Sequence, residues 1–223
     1  MATTNPHKVA EIRAIFALRG LRDVELLTLA EVRGYPFREP DEIGATCEEN
    51  ARVKALAYAA ATGMACLADD SGLEIDALDG RPGVISSHYF NDGRTDGVAA
   101  SMSREERDGA NNERVMREME GVAPERRGAR FVCVMVLAAA GRDEDLPRVR
   151  CTARGTFEGR IGVRGEVPRG ANGFGYDPLF LVAPEFSRTS AELPAAEKNA
   201  RSHRAAALEQ IAAWLSANGA TLA

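Results

Sequence analysis

The sequence predicts an α/β fold with a mixed central β-sheet flanked by helices. Helix-forming and strand-forming segments alternate through the first half of the chain, and strands cluster after residue 130. No linker, internal repeat or low-complexity tract interrupts the 223 residues, so a single domain over 1–223 is expected, with one substantial core or two lobes sharing a sheet.

The first helix is expected over residues 5–19. Asn5 can cap it, Pro6 suits its first turn, and Val9, Ile12, Ile15 and Phe16 form an apolar stripe that ends at Gly20. A short strand within Leu21 to Leu29 and a loop over 33–45 follow. The capping box from Thr46 to Glu49 opens a second helix, which passes through Ala51, Ala55 and Tyr58 and stops at Gly63. Met64 to Ala68 reads as a buried strand, with Asp69-Asp70-Ser71-Gly72 as the loop behind it. Leu73, Ile75 and Ala77 alternate with Glu74 and Asp76 as a half-exposed strand closed by Asp79-Gly80, and Pro82-Gly83 marks a further turn. Residues 90–112 are polar. The helix over Glu113 to Glu120 starts earlier if Ser103 and Glu106 form a capping box. Phe131 to Ala140 is the strongest β-run, paired with Val149 to Phe157, and Leu179 to Val182 adds a short strand. Leu208, Ile211 and Leu215 lie at helical spacing in a last helix that closes near Gly219.

Composition bounds the function. The hydrophobic fraction of 45% and charged fraction of 27% are those of an ordinary soluble protein. A net charge of −5 argues against gripping a nucleic-acid polymer. Cys47, Cys66, Cys133 and Cys151 show no paired spacing, and Cys66 and Cys133 lie in apolar runs; free thiols in a reducing cytoplasm are expected. No signal peptide is visible, and no apolar stretch approaches the ~18 residues a membrane span needs.

Five clusters carry chemistry. Thr3, Thr4, Asn5, Pro6, His7 and Lys8 place hydroxyls, unpaired N–H groups and a cation at a helix start, which suits an anion as well as a simple cap. Glu42, Glu49, Asn50 and Lys54 form the second cluster, in which Lys54 shares a helical face with Asn50; a surface pair is the alternative. Asp69 and Asp70 join a hydroxyl and a glycine. One carboxylate can hold a hard cation such as Mg²⁺ while the other accepts a proton from water, or the pair is a charged turn. Gly173 to Asp177 lets the backbone approach a flat ligand closely, with Phe174 to stack on it and Asp177 to accept from a ring N–H; a tight turn with Phe174 or Tyr176 in the core is equally open. Lys198, with Ser202, His203 and Arg204, places donors at the start of the last helix. His7 and His88 have no partners at metal-ligand spacing.

In this order, the five clusters resemble the inosine/xanthosine triphosphate pyrophosphatase family, enzymes that remove non-standard purine nucleotides. The resemblance covers residue 2 to about 208, and its most specific parts are Ala68 to Leu73, Gly173 to Pro178, and Ser202-His203-Arg204 after Glu197-Lys198-Asn199. It implies Mg²⁺-dependent hydrolysis of ITP, dITP or XTP at the α–β anhydride, giving a nucleoside monophosphate and pyrophosphate. By position, Thr3 to Lys8 and Lys54 hold the triphosphate. Asp70 is proton acceptor and metal partner, Asp69 a supporting acid, Glu42 the metal-associated acid and Ser71 a substrate contact. Phe174, Gly175, Tyr176 and Asp177, with Lys198, His203 and Arg204, bind the base. The family fold is a mixed sheet with helices around a cleft between two lobes, as a homodimer. The alternatives are a pyrophosphatase for modified pyrimidine or standard nucleotides, and a nucleotide-binding regulator without turnover. The chain departs from the family pattern in four ways. Only Met1-Ala2 stands where an apolar strand is usual, which suggests a start further upstream. Cys47 replaces a larger apolar residue, His88 replaces an arginine, and the 91–112 connection is longer, as a lid or a dimer-edge loop would be.

Overall fold

A computed structural model describes residues 1–2, 9, 12–13, 15–17, 20–21, 24–140 and 146–218. Thr3 to Lys8, the expected triphosphate loop, lie outside them, as does Gly219. The described part of the first helix bears out its stripe: Val9, Ile12 and Phe16 are helical and buried, and Gly20 adopts a positive φ of 77° behind them.

Helix α1 (Cys47–Thr62) begins where its capping box predicts: Thr46 Oγ1 accepts the Glu49 N–H, and Glu49 Oε2 accepts the Thr46 N–H. It ends on Gly63, whose left-handed φ of 67° a side chain would resist. Strand β1 (Cys66–Ile75) leads to the two-residue strand β2 (Pro82–Gly83). A four-residue helix α2 (Val98–Ser101) precedes α3 (Arg104–Glu118), which Ser103 and Glu106 cap reciprocally. Strands β3 (Gly128–Ala139) and β4 (Arg148–Ile161) follow, then β5 (Phe180–Val182), α4 (Ala195–Arg201) and α5 (His203–Asn218).

The central sheet is five-stranded, in the order β2-β1-β3-β4-β5. β2 runs antiparallel to β1, and β5 antiparallel to β4. From Val132 to Ala139, β3 is buried at every position, as a central strand covered on both faces must be. In its first half, by contrast, β4 points Arg148, Arg150, Thr152 and Arg154 to solvent.

Three expectations need correction. The carboxylates do not follow a strand in a loop; they lie within β1, which runs unbroken from Cys66 to Ile75. Residues 24–28 form no strand and lead into a 3₁₀ turn at Leu29–Glu31, capped by Thr28. Pro82-Gly83 is not only a turn but a pairing partner of Leu73 and Glu74.

The chain divides into two compact units, with boundaries inside β1, β3 and β4. Unit one (1–70, 133–155 and 203–223) has a core of Val9, Ile12, Phe16, Leu67, Met135, Leu208 and Ile211. Unit two (71–132 and 156–202) is built on Leu73, Ile75, Met119, Phe157, Phe180 and Leu181. Within unit two, the buried Arg127 guanidinium donates to the carbonyls of Met119, Ile161 and Gly162 at 2.7–2.9 Å. It thereby serves backbone carbonyls at the ends of α3 and β4.

Candidate active site

In unit one, an extended strand sends consecutive side chains to opposite faces, so Asp69 and Asp70 diverge. Asp69 is buried, and its Oδ2 lies 3.9 Å from Arg204 Nε near the start of α5. Asp70 turns toward α1, where Lys54 Nζ lies 3.4 Å from its Oδ1 and 2.9 Å from Glu42 Oε2. Lys54 is therefore no surface lysine: it is the cation on which two carboxylates converge.

Local chemistry places each partner. The capping box fixes the first turn of α1, and Lys54 follows two turns later. Buried Asn50 accepts the Gly44 N–H at 2.8 Å, anchoring the segment that carries Glu42. A Cβ on Gly44 would sit 2.7 Å from Asn50 Oδ1, so only glycine fits in Glu42-Ile43-Gly44. At α5, Gly155 of β4 has the same role: a Cβ there would collide with the His203 carbonyl oxygen and the Ala207 nitrogen.

At Asp70, burial and neighbouring charges compete. Burial pushes its carboxyl above the usual range, Lys54 pulls it back, Glu42 pushes again, and the net direction is upward. For Lys54, burial lowers the pKa, but Asp70, Glu42 and Asp69 outweigh it, so the ammonium stays charged. Asp70 Oδ2 is buried with no hydrogen-bond partner. Ser71 Oγ, the next side chain and the first residue of unit two, is also buried and unpartnered.

A divalent cation fits this set. Among the described residues no group of three or more His, Cys, Asp or Glu side chains forms a cage for one. Mg²⁺ does not need a cage, since it is bound through one or two carboxylates plus waters and substrate phosphates. Asp70, with an orphaned oxygen, and Glu42, converging on the same cation, are such a pair.

Unit two holds the glycine–aromatic loop. Phe174 is 55% exposed. Asp177 is buried beneath it; its Oδ2 accepts the Phe174 N–H at 2.8 Å and the Lys198 ammonium, and its Oδ1 accepts Ser190 Oγ at 2.7 Å. Asp177 thus shapes the loop instead of standing open to a ligand. The Lys198 ammonium lies 5.5 Å from the Phe174 ring centre, close enough for a cation–π contact. A Cβ on Gly173 would collide with Asp177 Oδ2, so the tight turn depends on glycine.

Tyr176, expected to bind the base, departs from that reading. Its side chain is 4% exposed and its hydroxyl donates to the Ser86 carbonyl at 2.7 Å, so it packs in the core of unit two. The sequence supplies four ring-and-glycine positions without saying which ring turns inward. Arg204, also expected at the base, lies beside Asp69, and His203 is half-buried at the start of the same helix. His88 Nδ1 lies 3.0 Å from Ser87 Oγ. Sequence reasoning overlooked Arg104, Asp108 and Asn112, three residues of α3 that touch the Phe174 loop.

The chain is similar to known proteins along nearly its whole length. The Ham1 family model matches residues 1–214. A dITP/XTP pyrophosphatase of Nitratidesulfovibrio vulgaris is 43% identical over 212 residues, which is 95% of this chain and 92% of that protein. The Ham1 protein of Staphylococcus aureus superposes with a TM-score of 0.76 at 32% identity, covering 98% of this chain and 97% of that one. A HAM1 protein from Coxiella burnetii gives 0.75 at 37% identity, covering 96% of each.

Proposed function

The chain belongs to the Ham1 family, and we propose that it hydrolyses non-standard purine nucleoside triphosphates (ITP, dITP and XTP) to the monophosphate and pyrophosphate, clearing them from the nucleotide pool. The observation that carries the hydrolytic reading is the Glu42–Lys54–Asp70 cluster with its buried, unpartnered Asp70 oxygen.

Asp70 accepts the proton of the attacking water. The water oxygen bonds to phosphorus, the α–β anhydride bond breaks, and pyrophosphate leaves while the proton passes from Asp70 to solvent. Lys54 holds Asp70 and Glu42 in place and offers positive charge to a substrate carrying roughly four negative charges. Asp69 and Arg204 support β1 from its other face. Asp70 and Glu42 would hold Mg²⁺, which when bound screens phosphate charge and lowers the pKa of water. Thr3 to Lys8 take the phosphates in this reading. Phe174 stacks on the base, with Gly175 and Lys198 beside it. Hypoxanthine and xanthine carry a 6-carbonyl that N–H donors satisfy, whereas adenine's amino group leaves such donors unpaired. The protein acts in the cytoplasm as a homodimer; sedimentation velocity should then give twice the chain mass.

One panel tests the reaction and the base together: ITP, dITP, XTP, GTP, ATP, dUTP and dTTP with Mg²⁺, with pyrophosphate and phosphate measured separately. Pyrophosphate release highest on ITP, dITP and XTP, and abolished by EDTA, is expected. A preference for dTTP or ATP, or release of phosphate alone, would overturn the reading. ITP binding without turnover would favour a regulator.

A further inference from the structure

Arg104, Asp108 and Asn112 follow one another at four-residue intervals along α3, so they share one helical face. That face meets the Phe174 loop at three points, all within unit two. The Arg104 guanidinium lies 4.2 Å from the centre of the Phe174 ring. Asp108 Oδ2 accepts the Gly175 N–H at 2.8 Å, and Asn112 Nδ2 donates to the Gly175 carbonyl at 3.0 Å. Gly175 is thus held at both its N–H and its carbonyl, with a positive φ of 62°.

The folding of α3 explains none of these three residues. Ser103 and Glu106 cap the helix, and Asn111, Val115 and Met116 are its buried positions. Asn112 even carries a cost: its Oδ1 is buried with no hydrogen-bond partner, while its amide nitrogen serves Gly175. The Phe174 ring, half-exposed, has a cation lying over it. Without these contacts the Gly175 peptide would lose the partners of its N–H and its carbonyl, and the Phe174 ring one of its two cations.

We propose that this face of α3 is a specificity-determining clamp on the base-recognition loop, with Asp108 and Asn112 positioning the Gly175 peptide and Arg104 orienting the Phe174 ring. The clamp rests on the reading of that loop as the base site. A loop held rigid cannot re-pair its groups around a wrong base, so its discrimination between ITP and GTP depends on being held. Because the clamp acts on binding and not on proton transfer, its loss raises KM and leaves kcat in place.

The test compares Arg104→Ala, Asp108→Ala, Asn112→Ala and Asp108→Asn with Phe174→Ala as reference. KM and kcat are measured on ITP and GTP, and the melting-temperature rise given by inosine monophosphate is measured without metal. Each of the three alanine variants should raise KM for ITP roughly five- to thirty-fold, the scale of one lost hydrogen bond or cation–π contact. They should hold kcat within about threefold, shrink the ITP:GTP ratio and weaken the thermal shift. Asp108→Asn keeps an acceptor for the Gly175 N–H and should stay close to wild type. If Asn112→Ala fails to fold, Arg104→Ala, which removes an exposed side chain, and the Asp108 pair still decide the matter. A raised KM in Phe174→Ala with wild-type KM and selectivity in the α3 variants overturns the clamp and leaves the base loop standing. Unchanged KM in Phe174→Ala overturns the base-loop reading, and the clamp with it. Loss of kcat in step with melting temperature shows a structural role and also overturns the clamp.

Discussion

Asp69 and Asp70 differ by one peptide bond and by everything that surrounds them. The strand turns Asp70 toward Lys54 and Glu42 and turns Asp69 toward Arg204. Asp70 therefore carries a buried oxygen with no hydrogen-bond partner and a carboxyl that burial pushes upward. Asp70→Asn should lower kcat on ITP by about a thousandfold, within the range general-base catalysis supplies, with the melting temperature retained. Asp69→Asn should cost only about tenfold in kcat but should lower the melting temperature, because it takes the charge from a buried partner of Arg204. Steady-state kinetics and thermal melts on both variants check this; equal losses of kcat would erase the division of labour. The sequence marked this pair as a candidate for chemistry, yet the adjacent charges made it read as a loop. Ionised side chains inside a strand are stable only when cations meet them, and Lys54 and Arg204 come from distant segments.

Elements deliver these residues through close backbone approach. Helix α5 carries His203 and Arg204, and its first turn lies against Gly155 of β4 with no room for a methyl group. Gly155→Ala should force α5 away from the strand. A stability loss of about 2–3 kcal/mol is expected for this overpacking, together with a fall in kcat from the displaced Arg204. Chemical denaturation and ITP kinetics measure both; a variant with wild-type stability would show that the helix seats differently. Helices were the legible elements, because their signals are local. Thr46, Ser103 and their partners three residues on announce α1 and α3, and Gly63 announces a stop. Strands were less so. No single local signal separates a five-residue apolar run from the ten residues of β1, and β2 owes its existence to pairing with Leu73 and Glu74. The same limit hid the α3 clamp: Asp108 and Asn112 lie 67 and 63 residues from Gly175, so nothing near them in sequence marks their partner.

Over the whole molecule, the titrating groups set unequal edges to the pH range of stability. On the acid side, the cap carboxylates Glu31, Glu106 and Glu192 are shifted downward by the backbone N–H groups of Thr28, Ser103 and Thr189. Their stabilisation is present above the ordinary carboxylate range and is lost as pH falls through their lowered values. Glu31 and Glu106 are exposed and Glu192 is half-buried, so this edge is shallow. The alkaline side rests on buried neutral acids. Burial pushes the Cys66 thiol up to about 11, and burial with the Glu118 carboxylate pushes the Tyr89 phenol up to about 12. Tyr58 and Cys151 are raised by burial as well. For a raised acid the stabilisation is complete below the unfolded-state pKa and disappears as pH climbs to the folded-state value. Cys66 alone, shifted from 9.0 to about 11, should remove on the order of 2–3 kcal/mol between those two pH values. Guanidinium midpoints should therefore hold steady from about pH 5.5 to 8.5, decline gently below and drop sharply above. Cys66→Val, which removes the titrating thiol and keeps an apolar side chain in β1, should lose part of that alkaline drop. A midpoint unchanged up to pH 10.5, or an identical drop in the valine variant, would show that Cys66 does not set the alkaline edge.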